Sequence, residues 1–159
     1  MIKHSFEPIS NKDATILILG TMPGEQSFFL NQYYGHTHNK FWKLLFTIFE
    51  TPFSEDYENK KALVLQNKIA LWDVLQACER KGSLDSAIKN EVANDFKDFL
   101  KNHPNITHIF FNGQKAASFF KKYVSLEHDY PTTILPSTSP ANAGKTFEEK
   151  LSEWKAILL

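Results

Sequence analysis

The chain has 159 residues, 42% of them hydrophobic and 14 of them phenylalanine, which suits one domain burying about two-thirds of its unfolded surface and argues for a packed globule against disorder. Its 18 Lys and Arg balance its 18 Asp and Glu, so no global positive field draws in nucleic acid and any such surface has to be local. A single cysteine, Cys78, excludes an internal disulfide framework and any all-cysteine metal or iron–sulfur site.

No leading apolar segment has the form of a signal peptide, and no apolar run approaches the length that crosses a bilayer. A cytoplasmic protein with no membrane partner is expected, with Cys78 a core thiol in a reducing compartment. Residues 1–12 form a polar lead-in. Residues 15–20 (TILILG) predict a buried strand, and residues 21–38 a long loop, a length that often carries function. From Asn39, a candidate N-cap, the apolar residues Phe41, Leu45, Ile48 and Phe49 recur at helical spacing and predict a helix to about Glu50. Residues 51–59 read as a surface connection.

Residues 69–75 (IALWDVL) predict a second buried strand, interrupted by Asp73, a carboxylate that is costly in an apolar strand unless paired or near water. Residues 78–90 read as a polar loop, and Val92, Phe96, Phe99 and Leu100 as the stripe of a helix. Residues 106–111 predict a third strand, followed by a turn at Asn112-Gly113 and a helix marked by Ala116, Phe119, Phe120 and Tyr123. Residues 132–135 predict a short fourth strand that runs into the Ser/Pro-rich loop 135–144. Thr146 and Glu149 form a capping box, and Phe147, Leu151, Trp154 and Leu158 the stripe of a closing helix.

Strands alternating with helices predict a single three-layer α/β domain over residues 1–159, with a central, mainly parallel sheet of about four strands. Its connections bring four pieces to one sheet edge: residues 20–39, the end of the Asp73 strand, Asn112-Gly113 and residues 135–142. In α/β sheets ligands bind at that edge.

The turn Gly20-Thr21-Met22-Pro23-Gly24 lacks the lysine of a P-loop and the third glycine of a dinucleotide fingerprint, so it reads either as a tight turn or as one whose backbone faces a ligand. His36 and His38 have no nearby carboxylate or cysteine, and no metal and no cofactor are expected. Asn39 either caps its helix or faces the site. Ser137, Thr138 and Ser139 place three hydroxyls on a proline-stiffened loop, suited to phosphate contacts or to nothing beyond a loop, and no G-x-S-x-G elbow marks a serine hydrolase. Tyr33 and Tyr34 lie in polar surroundings where a planar base could stack, whereas Phe41 and Trp42 read as core.

Together, GTMPGEQSFFLNQYYGHTHNKFW and LPSTSPANA resemble the first and second motifs of the uracil-DNA glycosylase superfamily, most of all its hypoxanthine-DNA glycosylase branch. The resemblance covers most of the chain and implies a monofunctional enzyme, a DNA-deoxyinosine glycosylase, acting on DNA that contains deaminated bases. Many members carry Asp or Asn in the first motif to hold the attacking water, and this chain has Met22 there. Asn39 resembles the residue to which the hypoxanthine branch gives that task, with Asn112 a second candidate for the water or the base. Tyr34 resembles the aromatic that stacks on the flipped base, and Asp73 the position where a uracil-specific member reads the base edge with Asn. Gly20, Met22, Pro23 and Gly24 would floor the pocket, while Ser137, Thr138, Ser139, Pro140 and Asn142 would hold the DNA. No lysine nucleophile is implied, and a monomer is expected. Uracil or broad deaminated-base excision, a nucleic-acid-binding module without catalysis, and a nucleoside hydrolase stand as alternatives.

Overall fold

The protein is described by a computed structural model covering residues 2–159. In chain order its elements are β1 (Ile2–His4), β2 (Ile16–Gly20), α1 (Glu25–Leu30), α2 (Phe41–Ile48), α3 (Tyr57–Gln66), β3 (Ile69–Asp73), β4 (Leu75–Glu79), β5 (Lys89–Ala93), α4 (Phe96–Lys101), β6 (His108–Asn112), α5 (Gln114–Tyr123), β7 (Thr132–Leu135) and α6 (Phe147–Trp154). Short 3-10 turns lie at Asp85–Ala87 and Lys155–Leu158.

The apolar runs pair as a four-stranded parallel sheet in the order β3-β2-β6-β7. Every residue of β2 is buried, as befits a strand with partners on both edges and helices on both faces. Alternate side chains point to opposite faces. Ile16 and Ile18 pack with Phe41, Leu44, Leu45 and Trp154 of α2 and α6 on one face. Leu17 and Leu19 pack with Phe96, Phe99, Leu100 and Phe119 of α4 and α5 on the other. The register sets Gly20 opposite Asp73 and Asn112 opposite Leu135, so the four strands end level. Helices flanking a central parallel sheet match the expected α/β architecture.

The run 69–75 is not one strand. After Asp73 the chain leaves the parallel sheet at Val74 and continues as β4, the centre of a second, antiparallel sheet in the order β1-β4-β5. The break leaves no backbone group stranded. Val74 N–H donates to Gly20 O (2.8 Å), Leu75 N–H to Thr21 O (3.2 Å), and Asn94 gives its own N–H to Val74 O (2.9 Å) and its side-chain amide to Asp73 O (2.8 Å). The expected loop 78–90 is therefore two strands joined by residues 80–88. Val92, assigned by spacing to a helix, lies exposed in β5, and the helix begins at Phe96 after Asp95, whose carboxylate accepts the Asp98 N–H.

Three further differences have local causes. The loop 21–38 holds α1, too short to show a helical period. The connection 51–59 runs into α3, capped by Asp56 but with its buried Leu63 and Val64 adjacent rather than spaced. The predicted strand 106–111 is β6, displaced so that Asn112 is its last residue. The capping box is present, with Glu149 N–H on Thr146 Oγ1 (3.1 Å) and Thr146 N–H on Glu149 Oε1 (3.0 Å). Cys78 is buried in the core.

Candidate active site

Beyond the level strand ends lies a cleft of about 640 Å³, within the range that encloses small ligands. It is lined by Gly20, Met22, Pro23, Gly24, Tyr34, Asn39, Asp73, Asn112, Ser137, Thr138, Ser139, Pro140 and Asn142, so pieces more than a hundred residues apart in sequence share one cavity.

Asp73 stands at the floor, 3% exposed, opposite Gly20. Burial raises its carboxyl to about pKa 7, Asp85 adds to the rise, and Arg80 opposes it. Its Oδ2 has no hydrogen-bond partner in the described structure. A Cβ on Gly20 would sit 2.6 Å from both Asp73 Oδ1 and the Tyr34 hydroxyl, so only glycine at the end of β2 admits both. Tyr34 holds a left-handed backbone (φ 52°) and stacks one ring face on Phe41, with centroids 4.0 Å apart. Its hydroxyl is buried without a partner, and burial together with Asp73 holds it well above the usual phenol range. Tyr33, read from sequence as a stacking surface, borders the cleft but is packed into the core: it is 3% exposed and its hydroxyl donates to Glu7 O (2.8 Å).

Asn112 and Thr138 form a closed pair. The Asn112 amide donates to Thr138 Oγ1 (3.0 Å) and its Oδ1 accepts the Thr138 N–H (2.9 Å). Thr138 O accepts the Lys40 N–H (3.3 Å), so one buried threonine joins β6, the serine-proline loop and the start of α2. With its hydroxyl so placed, Thr138 faces the protein, while half-buried Ser137 and Ser139 lie toward the mouth. Gly113 makes this approach possible, since its φ of +96° suits glycine and a Cβ there would lie 3.1 Å from that of Ser137. The loop is pinned further by the Asn142 amide on Ser137 O (3.0 Å), buried Lys150 on Asn142 O (2.8 Å) and the Trp154 indole on Pro136 O (2.9 Å).

Asn39 sits one residue before the helix cap, which is Lys40 rather than the expected Asn39. Its Oδ1 still accepts the Phe41 N–H (2.9 Å) and its backbone N–H reaches His36 O (2.9 Å), which fixes its amide at the cleft wall. His36 and His38 are exposed, their rings 5.5 Å apart. Among the described residues no group of three or more His, Cys, Asp or Glu side chains converges as a metal site would require.

Sequence reasoning missed the connection 80–88, which folds over the turn Gly20–Gly24 and brings Ser83, Leu84 and Asp85 to the cleft. Ser83 Oγ accepts the Glu25 N–H (2.8 Å). Arg80, buried, donates to Pro23 O and lies 3.5 Å from Asp85 Oδ1. Arg80 is the chain's single arginine among 18 cationic residues, a signal that could have marked it.

A family model of the Uracil DNA glycosylase superfamily matches residues 7–158. A Methanosarcina barkeri (strain Fusaro / DSM 804) protein named hypoxanthine DNA glycosylase is 38% identical over 155 residues, covering 97% of this chain and 96% of its own. One of the same name from Methanosarcina acetivorans is 38% identical over 158 residues, covering 99% and 98%. The solution NMR structure of an M. acetivorans protein provisionally described as a uracil DNA glycosylase superposes with a TM-score of 0.82 at 36% identity, covering 99% of this chain and 96% of that one.

Proposed function

Because the chain belongs to the uracil DNA glycosylase superfamily, we propose that it excises deaminated bases from DNA, hypoxanthine foremost, by hydrolysing the N-glycosidic bond of an extruded nucleotide. The observation that carries this reading is that near full-length similarity to two hypoxanthine DNA glycosylases coincides with a cleft at the strand ends roomy enough for an extruded nucleotide, rimmed by a serine-proline loop.

In this reading the nucleotide leaves the duplex most readily where its pair is already weak. Ser137, Ser139, Pro140 and Asn142 meet the DNA backbone at the mouth, giving position without sequence reading. Thr138 and Asn112 hold that loop in place, so Asn112 is a positioning residue. The base enters the cleft beside the turn Gly20–Gly24, where Tyr34 and Asp73 pack against Gly20 at the floor. Asn39 keeps a free amide N–H and a second oxygen lone pair with which to orient water toward C1′. Met22, apolar and buried, offers the water nothing. An oxocarbenium-like transition state needs that water placed more than ionised. Among the described residues no lysine lines the cleft to act as a nucleophile, so the expected product is an abasic site in an unbroken strand.

The test is a set of matched duplexes carrying a single deoxyinosine, deoxyuridine or deoxyxanthosine, scored before and after alkali. Alkali-labile sites at inosine, with no break before alkali, are expected. Tight binding of inosine DNA with no product from any duplex would instead make the chain a binding module. Gly20→Ala is expected to lower inosine excision by roughly 100-fold, since its methyl displaces Asp73 and Tyr34 by a substantial fraction of an ångström or more. An excision rate within a few-fold of wild type would mean that neither side chain contacts the base.

A further inference from the structure

His36 lines the cleft and is exposed, and the two nitrogens of its ring are not equivalent. Nδ1 accepts the His38 N–H (3.0 Å), a contact between residues two apart that holds the imidazole against its own turn. The hydrogen bond made by one ring nitrogen sets which of the two carries the proton, so here the proton stands on Nε2. What the ring still offers a ligand is a donor. The same turn is tied to two other parts of the site. His36 O accepts the Asn39 N–H (2.9 Å), and the N–H of exposed Lys40 reaches Thr138 O (3.3 Å) in the serine-proline loop. An exposed donor on the cleft wall suits an acceptor that stays outside the base pocket. On DNA that acceptor is the phosphodiester, and a chain with no net charge has to grip it with local groups.

We propose that His36 is a phosphate ligand, its Nε2–H donating to a non-bridging oxygen of a backbone phosphate beside the extruded nucleotide. The inference rests on the glycosylase reading and deepens it, adding a second point of grip to that of the serine-proline loop. It also joins binding to chemistry. The phosphate and C1′ belong to neighbouring parts of one nucleotide, and His36 and Asn39 to one hydrogen-bonded turn. The contact that holds the backbone therefore also sets where the Asn39 amide meets the sugar, a placement on which the rate depends steeply. A metal is not needed to explain the histidine, because its Nδ1 is already engaged by the backbone.

Two substitutions separate the two ends of the ring. In His36→Asn the side-chain oxygen takes the place of Nδ1, an acceptor that asparagine commonly offers to the N–H two residues on, and the reach of Nε2 is lost. In His36→Gln the amide nitrogen takes the place of Nε2. Binding is measured on a duplex carrying the non-hydrolysable 2′-fluoroarabino analogue of deoxyinosine, either unmodified or with a neutral methylphosphonate replacing each flanking phosphate of that strand in turn. His36→Asn is expected to weaken binding of the unmodified duplex about tenfold, and His36→Gln to stay within a few-fold of wild type. At one phosphate the methylphosphonate should cost wild type about tenfold and His36→Asn almost nothing, because that contact is already gone. Unchanged affinity in His36→Asn overturns the proposal. So do losses that add at every phosphate, which would leave the residue shaping its turn or touching the base. Equal melting temperatures of wild type and His36→Asn are expected and exclude misfolding as the cause. Wild-type excision of ordinary deoxyinosine, run beside these, fails only if the glycosylase reading itself is wrong.

Discussion

Asn39→Ala is expected to lower the single-turnover rate of inosine excision by at least roughly 100-fold while leaving affinity for the inosine duplex within a few-fold of wild type. The split follows from what Asn39 touches. Its backbone N–H is held by His36 O and its Oδ1 by the Phe41 N–H, so the amide is fixed at the cleft wall without reaching into the base pocket floor. The same substitution removes a contact at the start of α2 and should cost about 1 kcal/mol of stability. Asn39→Ser separates the two effects. Serine is as good as asparagine at satisfying a first-turn N–H but is too short to carry the amide to the water, so stability should return and activity should not. If Asn39→Ser recovers both, Asn39 only satisfies the Phe41 N–H and the water is held elsewhere.

Asp73→Asn is expected to stabilise the protein by up to about 4 kcal/mol above pH 7, with the advantage vanishing toward pH 4. The sign follows from proton uptake. Folding raises the Asp73 carboxyl from 3.8 to about 7. Between those values the folded chain holds a proton that the unfolded chain has released. Stability therefore falls with rising pH across that window, by about 1.4 kcal/mol per unit, and is level above it. Burial is the main cause, Asp85 adds to it, and Arg80 reduces it. An amide carries no charge to desolvate, so the variant lacks this slope, and urea unfolding at several pH values reads the difference directly. Parallel pH profiles for the two proteins would mean that Asp73 is paired in solution and that its orphaned oxygen is not a feature of the folded protein.

A buried carboxylate that destabilises its own fold is the kind of local conflict that concentrates at functional sites. It was also the residue most legible in the sequence, because an acidic side chain inside IALWDVL has no structural excuse. The strands β2 and β6 were legible as continuous apolar runs, and the helices with a clear stripe by their apolar period. The small sheet was not. β5 reads KNEVA, polar and mostly exposed, and its pairing with β4 comes from tertiary placement rather than pattern. Thr138 shows the limit most sharply. It lies between two serines of like polarity, and only its spatial pairing with Asn112 makes it a buried hub while Ser137 and Ser139 stay at the mouth. Likewise nothing local tells Tyr33 from Tyr34, yet one ties down the lead-in through Glu7 O and the other packs its hydroxyl against Gly20. Asp85 reaches the site, with Arg80 beside it, only because the connection between two unrecognised strands folds back over it.

The passage from β3 to β4 through Val74 alone bears on strand slippage. β3 buries apolar side chains on both faces, so hydrophobicity scarcely distinguishes one register against β2 from the next. A slip of one residue would bring Trp72 or Val74 to the end of the strand and turn the carboxylate to the opposite face. The antiparallel pairing of β4 with β1 and β5 resists that slip, because the same covalent run would have to move in both sheets at once. Asn94 adds a lock at the junction, holding the carbonyls on either side of Val74. The second sheet contributes no side chain from its strands to the cleft, yet it indexes the first, and the residue it keeps in place is Asp73.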